Sequence, residues 1–228
     1  GWVGEDSEDW NRSSARHDIC FSPGSASGSI PWDEYDEYPD NTTFKGSQAF
    51  FNKTAIGSNS SFKGASAFYE AAILGVGDGL IEMKGSDAFH KDVCVYNEYD
   101  STGSDVYYAD ACFDKDYSSN GNDDFHGKVV FNGDANVGNA VFRETVYFNA
   151  YAEIGNAEFH GRVYFSGNEV PDIKNADFEE VVCFANGWNE SGRGPKFDKG
   201  YVEGSCETGK CNLECALGGG NNDWSYAK

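Results

Sequence analysis

The sequence predicts an all-β fold: a single-domain parallel β-solenoid (β-helix) of about nine coils of 17–24 residues, with non-repeat segments at both ends. Three observations carry this. A seven-residue word, clearest as aromatic-x-Gly-x-x-x-Phe, recurs along the chain. Apolar residues alternate within the word, the period of a strand with one buried face. The composition also suits sheets, with 17 Phe, 13 Tyr, 28 Gly and one Met in 228 residues. Aromatics fit pleated surfaces and glycines fit tight corners.

Residues 1–40 lack the word. They hold three tryptophans, the Ser/Gly stretch SPGSASGSIP and the acidic run WDEYDEYPD, and are expected to cap or latch one end. The solenoid is expected over 41–202. Its words are FKGSQAF from Phe44, FKGASAF from Phe62, MKGSDAF from Met83, YYADACF from Tyr107 and FHGKVVF from Phe125. FRETVYF from Phe142, FHGRVYF from Phe159, FEEVVCF from Phe178 and a degraded FDKGYVE from Phe197 follow. Their starts lie 18, 21, 24, 18, 17, 17, 19 and 19 residues apart. Repeats of this size cannot bury a face alone and must stack. Stacking predicts two interior ladders, one through Phe44, Phe62, Phe125, Phe142, Phe159 and Phe178, the other through Phe50, Phe68, Phe89, Phe113, Phe131, Phe148, Phe165 and Phe184. Nine coils at about 4.8 Å give a rod roughly 43 Å long. Gly-Asn-Ala links between words suit corners, and the two longest coils place loops at 75–79 and 97–105. Residues 203–228 form a Cys-rich cap or tail.

The stretches NAVFRETVYF, NAEFHGRVYF and NADFEEVVCF resemble the Ala-x-Phe style of pentapeptide-repeat β-helices over about residues 125–200. That resemblance implies a helical stack of short strands and carries over no functional residues. The family's pattern recurs every five residues, whereas the Phe spacings here alternate 6 with 11 to 13.

Seven cysteines, Cys20, Cys94, Cys112, Cys183, Cys206, Cys211 and Cys215, lack zinc-module spacing and are disulfide candidates. Cys112 and Cys183 occupy one repeat position four coils apart, too far to pair with each other, so each needs a partner in a loop or cap. Five Asn-x-Ser/Thr sequons stand at Asn11, Asn41, Asn52, Asn59 and Asn189. Together they predict a secreted, N-glycosylated extracellular protein. The chain opens Gly-Trp-Val with no signal peptide, the reading expected of a processed form, and has no apolar run long enough to span a membrane. A formal net charge of −21 excludes a general nucleic-acid binder.

Position 1 of the word carries Lys45, Lys63, Lys84, His126, Arg143 and His160, and position 3 carries Lys128 and Arg162. These predict a cationic stripe for an anionic glycan or for the acidic flank of another copy. Position 5 is an outward apolar row that residues 1–40, or another molecule, would cover. Calcium would fall at Asp100 and Asp105 or at Asp123 and Asp124, but neither matches a calcium-loop spacing. No metal and no cofactor beyond covalent N-glycans is expected. His17, His90, His126 and His160 have no nucleophile elbow nearby, and the reading is of a non-enzyme.

The function expected is an extracellular structural protein associating with itself, end to end, into a fibre or matrix. The alternative is a carbohydrate-binding or carbohydrate-modifying cell-surface solenoid. Ice binding ranks third, since only six Thr occur and they form no rank.

Overall fold

The computed structural model describes residues 35–76, 78–190, 192–211 and 213. Asn11, Cys20, Cys215 and most of the 1–40 segment lie outside them. Within them the regular structure is β and falls into three parallel sheets. The first sheet has ten strands, from Asp36–Tyr38 to Tyr201–Glu203. The second has nine, from Thr43–Phe44 to Asn189–Glu190, and the third nine, from Gln48–Phe50 to Lys196–Phe197. The chain visits the sheets in that order, so each coil is a triangle with one strand per side. We number coils one to nine from Asp36, each ending at its third-sheet strand.

Inward residues close the three sides at steps of six: Tyr38, Phe44, Phe50, Ile56, Phe62, Phe68 and Leu74. Three such sides make a coil of 18, with six residues per side where the pentapeptide-repeat resemblance implied five. Coil three carries three more residues at the 75–79 corner, where the pairing register shifts beside Ile56 and Gly57.

The pairings correct the alignment of the repeat. Met83 sits beside Phe62 and Ser101, and Tyr107 beside Phe89 and Phe125. The step of 24 residues from Met83 to Tyr107 is therefore one coil of 18 plus one side of six, and the coils run from 17 to 21 residues. Phe44 and Phe62 belong to the second sheet, whereas Phe125, Phe142, Phe159 and Phe178 continue Phe50, Phe68 and Phe89 in the third. Phe113, Phe131, Phe148, Phe165 and Phe184 form a ladder of their own in the first sheet. The segment 97–105 is no loop: Glu98–Ser101 is a strand paired on both sides, and Asp105 is fully buried.

In the third sheet, neighbouring rings from Phe50 to Phe197 stack at 4.4–5.2 Å between centroids. Burying each ring contributes about 1.5–3 kcal/mol, and stacking adds about 0.5–1.5. At the corner between the second and third sheets, Gly64, Gly85, Gly103 and Gly121 lie over one another, and a Cβ on any of them would overlap backbone of the coil before.

The outward row of the first sheet is buried through Ala55, Ile73, Cys94, Cys112 and Val130. After Glu203 the chain turns back along this row. Cys206 bonds Cys183 and Cys211 bonds Cys112, with Cα atoms 5.8 and 6.0 Å apart. Cys94 is disulfide-bonded as well. Between the two bonds, Gly209 rests on the Tyr147 ring, where a Cβ would collide. Asn149 clamps it twice, donating Nδ2–H to the Gly209 carbonyl at 3.0 Å and accepting the Gly209 N–H at 3.1 Å. Five residue steps reach at most about 18 Å, close to the roughly 19 Å of four coil spacings, so this strap is nearly extended. The row expected at position 5 splits: Ala49, Ala67 and Ala88 face out of the third sheet, and Cys112, Val130, Tyr147, Tyr164 and Cys183 out of the first. Over coils five to nine the C-terminal segment covers the first-sheet part, where residues 1–40 or another molecule was expected. A position that alternates outward on a fully paired sheet gave no hint of which segment returns to it.

Candidate functional site

Three residues per coil point outward across the third sheet. In coils one to four they are Ser47–Ala49–Phe51, Ala65–Ala67–Tyr69, Ser86–Ala88–His90 and Ser104–Val106–Tyr108. The floor is thus apolar and flat, bordered on one side by small, mostly hydroxylated residues. On the other side Phe51, Tyr69, His90 and Tyr108 stack ring on ring at 5.0, 4.8 and 4.9 Å. Phe51, Tyr69 and Tyr108 are 62%, 41% and 49% exposed, the most open aromatic row among the described residues. Their faces cover one another, so the row presents ring edges, with a hydroxyl or imidazole nitrogen in coils two to four. Serine hydroxyls tie the opposite border together, with Ser104 N–H donating to Ser86 Oγ at 3.3 Å.

From coil five the same three positions become Asn122–Asp124–His126, Asn139–Val141–Arg143, Asn156–Glu158–His160 and Asn175–Asp177–Glu179. Charges here are paired. Arg143 donates Nε–H and Nη2–H to Asp124 at 2.9 and 2.8 Å, holding that carboxyl below its usual range. His126 lies 3.1 Å from Asp124, and His160 lies 2.9 Å from Glu179. Asn156 and Asn175 continue an amide ladder from Asn139 at 2.9 and 2.8 Å.

The predicted cationic stripe does not form one row. Lys45, Lys63 and Lys84 line the corner between the second and third sheets, and Lys84 is 3.1 Å from Glu82. His126, Arg143 and His160 instead continue the aromatic row at the opposite border. Lys128 and Arg162 lie two residues further on, where Lys128 Nζ reaches the Lys210 carbonyl at 3.4 Å. The cause is the repeat slip at Met83, which joined residues from different corners. The same slip hid the aromatic row, which is spelled out as FF, FY, FH and YY from 50, 68, 89 and 107.

Inside the third sheet, Asp87, Asp105 and Asp123 stack at one inward position of coils three to five, each at most 1% exposed. Each Oδ1 accepts a backbone N–H from the coil before: Ser66 at 2.6 Å, Asp87 at 2.9 Å and Asp105 at 2.8 Å. Asp105 Oδ2 also accepts from Tyr99 and Ser101 hydroxyls at 2.9 and 2.8 Å, and Asp123 Oδ2 from Tyr117 at 2.5 Å. The Tyr107 hydroxyl donates to Tyr99 at 2.8 Å. Among the described residues Asp87 Oδ2 has no hydrogen-bond partner. Burial, then the charge of Asp105, pushes Asp87 up to about 7. Burial, then Asp123, pushes Asp105 up to about 7, and burial raises Asp123. The carboxyls named for calcium diverge, since Asp105 and Asp123 turn inward onto amides and hydroxyls while Asp124 turns outward to Arg143. No cluster of three or more potential metal-binding side chains occurs among the described residues.

Asn41, Asn52, Asn59 and Asn189 are exposed. Asn41 and Asn59 hold left-handed backbone, φ 61° and 54°, at the corner between the first and second sheets. Asn59 Oδ1 accepts the Leu80 N–H at 3.2 Å, and Asn52 Nδ2 donates to Asp36 at 2.9 Å.

No protein-family model, curated protein or solved structure compared with the chain matches it. Among the described residues no helix is long and apolar enough to cross a membrane.

Proposed function

We propose that the protein is a secreted structural glycoprotein, a non-enzymatic rod that holds an extended neutral polysaccharide along the third sheet of coils one to four. The observation that carries the reading is the lateral order of that face: hydroxyls, then Ala and Val, then aromatic edges with polar tips. A pyranose chain has the complementary order, apolar C–H groups across its face and hydroxyls along both edges. Tyr69, His90 and Tyr108 offer a polar tip in each of coils two to four, and preorganised rows lower the ordering cost of binding. Neutral chains are favoured over anionic ones because the rod carries a net charge of −21 and Lys84 is engaged by Glu82. Disulfides and sequons support an oxidising, extracellular setting, with N-glycans on exposed asparagines and no other cofactor.

The test is co-sedimentation with insoluble cellulose and chitin, with soluble heparin as the anionic comparison. Wild-type protein is expected to sediment with a neutral polymer, and Tyr69→Ala with Tyr108→Ala to lose at least about tenfold in affinity, the cost of two truncated contacts of about 1.4 kcal/mol in total. Equal sedimentation of wild type and variant, or binding to heparin alone, would sink the reading.

End-to-end assembly, the other structural role, depends on the last strand of each sheet: Asn189–Glu190, Lys196–Phe197 and Tyr201–Glu203. Among the described residues these carry unpaired edges and a partly exposed cluster of Trp188, Phe197 and Tyr201.

A further inference from the structure

Phe51 is 62% exposed, the most open large hydrophobic side chain among the described residues. It begins the outer aromatic row and is the one member of Phe51, Tyr69, His90 and Tyr108 without a polar tip. Tyr69 of coil two covers one face of its ring, 5.0 Å away and 4° from parallel. Among the described residues no second ring meets the other face, which looks toward the coil-one end. The next residue, Asn52, opens the sequon Asn52-Lys53-Thr54. Neighbours in a continuous strand point to opposite faces. Here the chain bends as it leaves the third sheet, and Phe51 and Asn52 are both exposed. Asn52 donates Nδ2–H to Asp36 at 2.9 Å. Asp36 lies one coil before Thr54, with which it pairs. Nδ2 is therefore turned toward the coil-one end, the side on which the Phe51 face is open. The other described sequons lack this arrangement. Asn41 follows Asp40, and Asn59 follows the buried Ser58. Trp188 precedes Asn189, but its ring packs on Phe184, Phe197 and Tyr201.

We propose that Asn52 carries an N-linked glycan whose first N-acetylglucosamine lies on the open face of Phe51 and closes the aromatic row at coil one. The sugar comes from a lipid-pyrophosphate-linked oligosaccharide, the donor class of the secretory route. The bond from Asn52 Nδ2 to C1 of the sugar forms as the bond from C1 to the pyrophosphate oxygen breaks. The pyrophosphate leaves with that electron pair, and one Nδ2 proton passes to solvent. One N–H stays on Nδ2, as many as the bond to Asp36 uses. A pyranose presents a flat set of C–H groups to the negative face of an aromatic ring, while its hydroxyls stay in water. The contact also takes apolar ring surface out of water. Because Asn52 tethers the sugar beside Phe51, the contact is intramolecular, and a weak attraction is enough to hold it. A bare phenyl ring suits this end of the row, where a face is offered, and the polar tips of Tyr69, His90 and Tyr108 suit the positions where only edges are. This inference rests on the secreted-glycoprotein reading and is independent of polysaccharide binding.

The experiment secretes the full chain from a eukaryotic host that adds high-mannose glycans, then trims them with endoglycosidase H to one N-acetylglucosamine per site. Glycopeptide mass spectrometry reads occupancy, and proton NMR reads the surroundings of each sugar. Asn52 is expected to be occupied, with one set of sugar protons shifted upfield of the others by the ring beneath it. Asn52→Gln is expected to delete that set. Phe51→Leu, read on its occupied fraction, is expected to return the set to the position of the other sugars. Both substitutions fall on exposed side chains, and unchanged far-ultraviolet circular dichroism checks the fold. An empty Asn52 on a chain glycosylated at Asn41, Asn59 or Asn189 overturns the proposal and leaves the glycoprotein reading standing. A chain secreted without any glycan overturns both. An occupied Asn52 whose sugar protons are the same in wild type and Phe51→Leu overturns the contact with the ring.

Discussion

Coils three to five and coils six to eight share one backbone and differ at one inward position of the third sheet. The first group places Asp87, Asp105 and Asp123 there, and the second Ala140, Ala157 and Ala176. Both groups are equally dry. Each Asp finds the N–H of the coil before, and the second sheet supplies Tyr99 and Ser101 as donors to Asp105 and Tyr117 as donor to Asp123, while Asp87 has the amide alone. The Ala-lined coils carry Ala152 and Ile154 at the corresponding places and have no hydroxyls to offer. At Asp105 and Asp123 the buried carboxyl is a property of two neighbouring sides of the triangle, not of one residue. Outside, the change comes one coil earlier, from the apolar, aromatic face of coils one to four to the charged face that begins at coil five.

The largest expected effect is on pH-dependent stability. A carboxyl raised from 3.8 to about 7 stays neutral in the fold while the unfolded chain ionises. Its stabilising contribution is therefore complete below about 3.8 and is lost as pH rises through about 7. That shift is worth about 4 kcal/mol for one such group, and the ladder shares its charge, so several kcal/mol should vanish between pH 4 and pH 8. Urea titrations at the two values measure it. Replacing all three acids by Ala, as in coils six to eight, should flatten the dependence, and an unchanged slope would assign it to the general negative charge instead.

Next in size is the reverse graft. Ala157→Asp places a carboxyl under one N–H donor and no hydroxyl, and should cost about 3 kcal/mol in a urea titration at pH 8. A cost below about 1 kcal/mol would mean that the second-sheet hydroxyls are not what makes the acids tolerable. Smallest is the outer amide ladder of the second group. Asn156→Ala removes bonds to Asn139 and Asn175 and should cost about 1 kcal/mol, because both bonds are exposed to water.

The stack of coils was legible because Phe and Tyr recur where a strand must bury one face. The number of sides was not. Phe44 to Phe50 and Tyr107 to Phe113 both span six residues, yet one turns from the second sheet to the third and the other from the third to the first. A motif one side long reads the same at any corner, so a slip of one side goes unnoticed. That slip split the row Phe51, Tyr69, His90 and Tyr108 and merged lysines with histidines from another corner. Asp87, Asp105 and Asp123 were three of 38 acids, visible as a ladder only once Ser101 is seated beside Met83. The reach of Cys206 and Cys211 to Cys183 and Cys112 had no local signal, because the strap follows disulfide geometry and an apolar row rather than periodicity.

The strap changes how the rod would bear a load. The bond from Cys112 to Cys211 closes a covalent ring spanning 99 residues of sequence, from coil five to the far end and back. Tension applied at Cys211 enters the rod at coil five and bypasses coils six to nine. A pull that would peel an open solenoid turn by turn from its tip is shunted past the tip. The Ala-lined coils sit inside that ring as mechanically unloaded stock, and the coils of Asp87 and Asp105, outside it, carry the force.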